Sequence, residues 1–344
     1  MSVENLHSVR TKYFADSVEW CLHPQHLETF ACATYQLEEG ASGPAKRKGS
    51  ISIFNFTWDE EGSNLQKLFE RETDGILDQK WLKNTSKPLL ASVTSSGDAV
   101  LYAWREGQLE VVSSLRVNPR DEENIALSLD WSAEKQKILV SDSKGSISLL
   151  DLTNSTSFTA LNRWKAHTFE AWTCCFDKNN PDIVLTGGDD SVCRIYDLRD
   201  LSKEKLTIRS HEAGVTSFLT LERHSNIFCT GSYDEHLRFF DMRSPKNPLD
   251  RLNLKGGIWR IKSNPRDEEL LLCACMYHNF TVCRLSFEES KVSPSIEATF
   301  NGKHKSICYG ADWSPLKTSK DDRHFFASCS FYDNLLSVNS YAKS

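Results

Sequence analysis

AHTFEAWTCCFDKNNPDIVLTGGDDSVCRIYDL (Ala166–Leu198) and SHEAGVTSFLTLERHSNIFCTGSYDEHLRFFDM (Ser210–Met242) carry one pattern twice. In each, a His opens the unit and an Asp follows 23 residues later: His167 and Asp190, then His211 and Asp234. The second pair lies 44 residues after the first. Between the two residues come short β-branched and aromatic runs bounded by Gly, Asp, Ser and Asn. Such runs read as strands joined by tight turns.

The pattern extends in both directions. Trp closes a short apolar segment at SVEW (Trp20), DQKW (Trp81), SLDW (Trp131) and GADW (Trp313). WTCCF, VTSFL and WRIKS fill the gap, ending at Phe176, Leu219 and Ser263. The seven anchors are spaced by 61, 50, 45, 43, 44 and 50 residues. Each is followed by a second run ending in turn residues, a third run such as ISLLDL or LRFFDM, and a weaker fourth. Four strands per unit of this length predict a propeller blade, and seven anchors predict seven blades. The fold class expected is all-β, a seven-bladed β-propeller forming a single domain over residues 1–344. The last unit stops at LLSVNSYAKS, short of a fourth strand. SVRTKYF (Ser8–Phe14) precedes the first anchor and is expected to complete the last blade, which removes a sheet edge. Glu38 to Gly49 reads as a mobile loop inside blade one, and Ser314 to His324 as an insertion in blade seven.

The chain has 344 residues, 39% hydrophobic and 26% charged, with a formal net charge of -6. That balance argues against a basic nucleic-acid face. No apolar run reaches the ~18 residues of a membrane span. The first twenty residues lack the apolar core of a signal peptide, so the cytoplasm is the expected compartment. The 11 cysteines include no C-x-x-C pair and sit in apolar runs, so they are expected to pack as free buried thiols.

His167, Asp190, His211 and Asp234 resemble the conserved positions of the WD-repeat family. Its blades open near a His, place an Asp in the turn between second and third strands, and close on Trp-Asp. The closing pairs here are Tyr196-Asp197, Phe240-Asp241 and Leu150-Asp151, so the literal signature is degenerate. The resemblance implies that the four residues are structural, joined in buried hydrogen-bond networks.

Catalytic signatures are missing. The sequence has no G-x-S-x-G elbow, no phosphate-cradling glycine loop and no zinc-ligand spacing. On motifs alone the chain reads as an adaptor that docks other proteins. Several polar strings nevertheless exceed what a blade needs. AHTFEAW carries Glu170 and Trp172, LTGGDDS adds Asp189, GSYDEHL carries Tyr233 and His236, and KGGIWRIK carries Trp259 and Arg260. YGADWS carries Tyr309 and Asp312, and CSFYDN carries Tyr332 and Asp333. Loops entering successive blades gather on one face of a propeller. Glu170, His236, Arg260 and Asp312 are therefore expected to converge in one pocket. Glu19, Asp130 and Asp312, beside the anchors, are expected to form an acidic ring near the channel.

In this order, ADSVEWC, LSLDWS, AHTFEAW, GGDD, GSYDEH, GGIWRIK, YGADWS and CSFYD resemble the diphthine methyltransferase family of the diphthamide pathway. The strings run from Ala15 to Asp333. Ser263 at an anchor and His278 at a turn-Asp position depart from the pattern. The resemblance implies hydrolysis of the methyl ester of methylated diphthine on elongation factor 2, the protein partner, with no cofactor and no metal. It implies no direct contact with nucleic acid or membrane. The modified side chain carries a trimethylammonium cation, a group held by aromatic faces and carboxylates. Trp172, Tyr233, Trp259 and Tyr332 are the candidate substrate-binding faces. Glu170 and Asp312 are candidate counter-charges, and Glu170, His236, Arg260 and Asp312 the candidate catalytic set. His236 or His167 suits a base, Arg260 an oxyanion donor. The nucleophile is Ser232, Ser330 or water.

Overall fold

The computed structural model describes residues 2–38, 46–153, 156–288, 291–317 and 322–342. Every regular element among them is a β-strand. The strands form seven antiparallel sheets, six of four strands and one of five. The architecture is the seven-bladed propeller that the anchor spacing predicts.

Blade seven is closed from the front of the chain. Ser2–Arg10 pairs with Leu335–Ala342 at the outer edge of the sheet. This strand starts and ends earlier than the expected Ser8–Phe14. Apolar residues decide the placement: Val3 packs into the core between blades six and seven, and Leu6 and Val9 into that between seven and one. Part of the stretch expected to be a mobile loop is strand instead. Gln36–Glu38 pairs with the first residues of Lys46–Trp58, so Glu38 and Lys46 to Gly49 belong to a hairpin. Residues 39–45 of that stretch lie outside the described residues, as do 318–321 of the second insertion.

The innermost strands are Ala15–Trp20, Ile76–Trp81, Ala126–Ser132, Thr173–Phe176, Val215–Thr220, Gly257–Asn264 and Cys308–Trp313. Six carry the same bulge, at Asp16, Leu77, Leu127, Thr216, Trp259 and Tyr309. Trp172 takes the matching position directly before Thr173. A bulge re-aims a side chain, and here it repeats around the ring. Aligned on the bulges, the blade-five anchor is Thr220, one residue beyond the expected Leu219.

Neighbouring inner strands are stapled by side chains. Asp312 Oδ2 accepts the Trp20 amide at 2.6 Å, and Asp130 Oδ2 accepts that of Phe176 at 2.7 Å. The Trp81 and Trp313 indoles donate to the Glu19 and Lys262 carbonyls at 3.1 and 3.2 Å. Apolar clusters fill the wedges between blades.

The blade networks differ in detail. His167 contacts Asp190 through Nδ1 and Thr186 Oγ1 through Nε2, each at 2.9 Å. His211 meets Thr230 at 2.8 Å, but Asp234 bonds Arg238 at 2.7 Å and His211 Nδ1 has no partner. Burial, reinforced by Arg238, lowers His211 to about 4, which keeps it neutral. Blade seven has a network that spacing alone misses. His304 bonds Ser330 and Ser328 at 2.6 and 2.9 Å, and Ser330 donates to Asp333. All eleven cysteines are free and ten are buried.

Candidate functional site

The repeated bulge builds the upper end of the channel. Trp259 and Tyr309 hold bulge positions in blades six and seven, and Trp172 the matching position in blade four. Their rings form an arc: Trp172 to Trp259 at 5.7 Å, Trp259 stacked on Tyr309 at 4.7 Å. Tyr233, from the blade-five turn, lies 6.1 Å from Trp172 and 5.9 Å from Trp259. Met276 and Ile307 fill in behind. Three of the four expected aromatic faces are thus brought together. Tyr332 sits at the far end of the arc, on Phe331 and Phe14. Carboxylates line one side. The Trp172 indole donates to Asp189 at 2.9 Å. Burial raises the Tyr233 hydroxyl, and the nearby carboxylates of Asp189 and Glu170 add to it.

Arg260 forms the floor of this chamber. Its guanidinium lies 5.7 Å from the Trp259 ring. From blade six it donates to the Leu77 carbonyl at 3.1 Å and to Asp78 Oδ1 at 3.2 Å in blade two. Asp78 also accepts from Ser128 at 2.8 Å and from the Leu129 amide at 3.1 Å. Burial opposes the Asp78 charge, but Arg260, Lys80 and Lys262 together hold its carboxyl below the usual range. Asp16, fully buried, faces the same guanidinium.

Below Arg260 lies a cavity of about 650 Å³, lined by Glu19, Lys80, Asp130, Lys262 and Asp312 with Arg260 above. The expected acidic ring is not what forms. Lys262 contacts Glu19 and lies 3.9 Å from Asp312, and Lys80 lies 3.8 Å from Asp130. The two lysines interleave with the acids, because pairing is the cheapest way to bury them. Burial, aided by Glu19 and opposed by Lys262, pushes the Asp312 carboxyl up to about 7.

The expected convergence of four residues therefore divides. Arg260 and Asp312 line the cavity; Glu170 and His236 do not. Glu170 stands beside Tyr233 in the upper chamber. His236 lies in the blade wall, with Nδ1 2.7 Å from the Asp234 carbonyl and Asn253 of the outer strand beside it. Its register, directly opposite Asn253, carries it away from the axis. Asp312 is committed to the Trp20 amide. Ser232 and Ser330 are fully buried, tied to the Ala213 carbonyl and to the His304–Asp333 network. Both hydroxyls are held in bonds within their own blades, so neither stands free as a nucleophile. Asp16, Asp78, Lys80 and Lys262 escaped the sequence reading, although aligning the inner strands on their bulges puts all four in channel-facing columns.

The WD domain, G-beta repeat model matches residues 158–197 and 202–241. The chain is 36% identical to the diphthine methyltransferase homolog of Dictyostelium discoideum, over 95% of this chain and 96% of that one. It is 36% identical to human diphthine methyltransferase, over 90% and 75% of the two chains. With the enzyme of that name from Schizosaccharomyces pombe it shares 30%, over 92% and 94%. Among solved structures, a chain of the crystal structure of the mitotic checkpoint complex superposes with a TM-score of 0.73, covering 99% of this chain and 92% of that one. At 15% identity that match speaks to the fold alone.

Proposed function

The chain belongs to the diphthine methyltransferase family of the diphthamide pathway, and on that premise we propose that it hydrolyses the methyl ester of methylated diphthine on elongation factor 2. The observation that carries the reading is the chamber of Trp172, Tyr233 and Trp259, walled by Asp189 and Glu170 and floored by Arg260. A trimethylammonium group cannot donate hydrogen bonds. It is held by aromatic faces with carboxylates nearby, and such contacts strengthen when water is excluded. A cation seated on Trp259 keeps an ester on the same side chain within reach of Arg260. Arg260 then stabilises the oxyanion that forms as the carbonyl is attacked. With the Ser232 and Ser330 hydroxyls bonded within their own blades, water is the attacking group. Elongation factor 2 is the partner this reading implies, and the cytoplasm the compartment.

An adaptor without turnover is the competing reading, favoured by the enclosure of both serines. Phe169, Tyr277 and Tyr332, the exposed aromatics beside the chamber, would dock a partner in either case. One experiment separates the two. Purified protein is incubated with elongation factor 2 bearing methylated diphthine, and the modified peptide is weighed. Hydrolysis removes the mass of one methylene. An unchanged peptide leaves only the adaptor.

A further inference from the structure

Among the described residues, Asp16 Oδ1 is the one buried carboxylate oxygen without a hydrogen-bond partner. The other channel acids are tied down: Asp78 by Arg260, Ser128 and the Leu129 amide, Asp130 by the Phe176 amide, Asp312 by the Trp20 amide. Nor does the fold ask for an acid here. The equivalent bulge positions hold Leu77, Leu127 and Thr216 in blades two, three and five, and they form the same bulge. A buried polar group left unsatisfied needs an explanation of another kind.

Its surroundings supply one. The groups facing Asp16 are Arg260 from blade six, Asp78 from blade two, and Tyr309 and Cys329 from blade seven. Arg260 and Tyr309 are the floor and one wall of the aromatic chamber.

We infer that Asp16 is the general base that activates the hydrolytic water. The role rests on the ester-hydrolase reading above. Water attacks the ester carbonyl carbon while the Asp16 carboxylate takes one of its protons, and the carbonyl electrons move onto the oxygen beside Arg260. When the tetrahedral intermediate collapses, the bond to the methoxy oxygen breaks. Asp16 returns its proton to that oxygen, releasing methanol. The new carboxylic acid loses its proton to solvent, and the Asp16 carboxylate is restored.

The charges bear on its working range. Burial, with Asp78 adding and Arg260 opposing, holds the Asp16 carboxyl well above the usual carboxylate range. The base is ionised only as pH rises past that raised value. Activity therefore gains an acidic limb above the range of an ordinary carboxylate.

The test is kinetic, on the full chain with methylated-diphthine elongation factor 2. Asp16→Asn is expected to lower kcat by about 100-fold or more, with KM nearly unchanged. A structural role alone would not split kcat from KM in this way. A kcat within about threefold of wild type overturns the inference, judged against that same general-base contribution. The wild-type pH profile gives a second reading that needs no folded variant. A kcat/KM that rises with pH through an acidic limb supports the base; a profile flat from the ordinary carboxylate range to neutrality overturns it. If the wild-type protein removes no ester, the hydrolase reading falls and this role with it. If the wild type turns over and Asp16→Asn keeps pace, only the role falls.

Discussion

Arg260 reaches from blade six to Asp78 in blade two at 3.2 Å, and both residues line the charged cavity beneath the aromatic rings. Both partners are largely buried, so each depends on the other. Removing one partner of a buried pair strands the second charge and costs about 3–5 kcal/mol. Arg260→Met is therefore expected to lower stability in urea melts by that order. Asp78→Asn combined with it should recover part of the loss in a double-mutant cycle. Additive losses would contradict the coupling.

The Asp312 staple predicts a dependence on pH. Its folded value of about 7 lies above the ordinary 3.8 of a carboxyl. The folded state therefore holds the proton more tightly than the unfolded chain. That stabilisation is fully present below the unfolded value and is lost as pH rises through about 7. Asp312→Asn keeps an acceptor for the Trp20 amide and loses the titration. Compared with it, the wild type should become progressively less stable from acid to neutral pH. Asp312→Ala should lose about 1–3 kcal/mol at every pH, since the Trp20 amide is left without its acceptor. Parallel stability curves for wild type and Asp312→Asn would show that the carboxyl does not titrate in this window.

The aromatic chamber predicts a small-molecule probe. Glycine betaine methyl ester carries both a quaternary cation and a methyl ester. Its binding is expected to perturb the tryptophan fluorescence of the wild type, since Trp172 and Trp259 line the chamber. Trp259→Ala should weaken it by about tenfold or more, the scale of a desolvated cation–π contact. Equal affinity in the variant would place the cation elsewhere.

The buried serines predict an absence of covalent labelling. Ser232 and Ser330 are enclosed in their blades. A fluorophosphonate ester should leave both unmodified in the intact mass spectrum of the folded protein. An adduct on either would restore a serine nucleophile.

The architecture was legible because a propeller repeats. Anchors about one blade apart carry the fold, and the closing strand follows from an unfinished last unit. What was lost depends on register. A one-residue slip at Thr220 misplaces Thr216 in blade five, and the column of Asp16, Trp172, Trp259 and Tyr309, four residues before their anchors, gains its meaning only from the repeated bulge. His236 stands in the same string as Tyr233, yet the two part because Tyr233 stays in the turn while His236 opens the next strand, opposite Asn253 of the outer strand. Glu19, Asp130 and Asp312 read as a like-charged ring because their lysine partners come from other blades, far away in sequence. The His304 network escaped because the blade-seven insertion stretches the interval between its His and its Asp.

The central claim is that the substrate ester is hydrolysed at its acyl carbon, so that the acyl–oxygen bond breaks and the acyl group keeps the oxygen of water. The direct measurement runs the reaction in water labelled with heavy oxygen and weighs both products. The account predicts one heavy oxygen in the new carboxylate on elongation factor 2 and none in the methanol. Heavy oxygen in the methanol, or no loss of the ester at all, would contradict it.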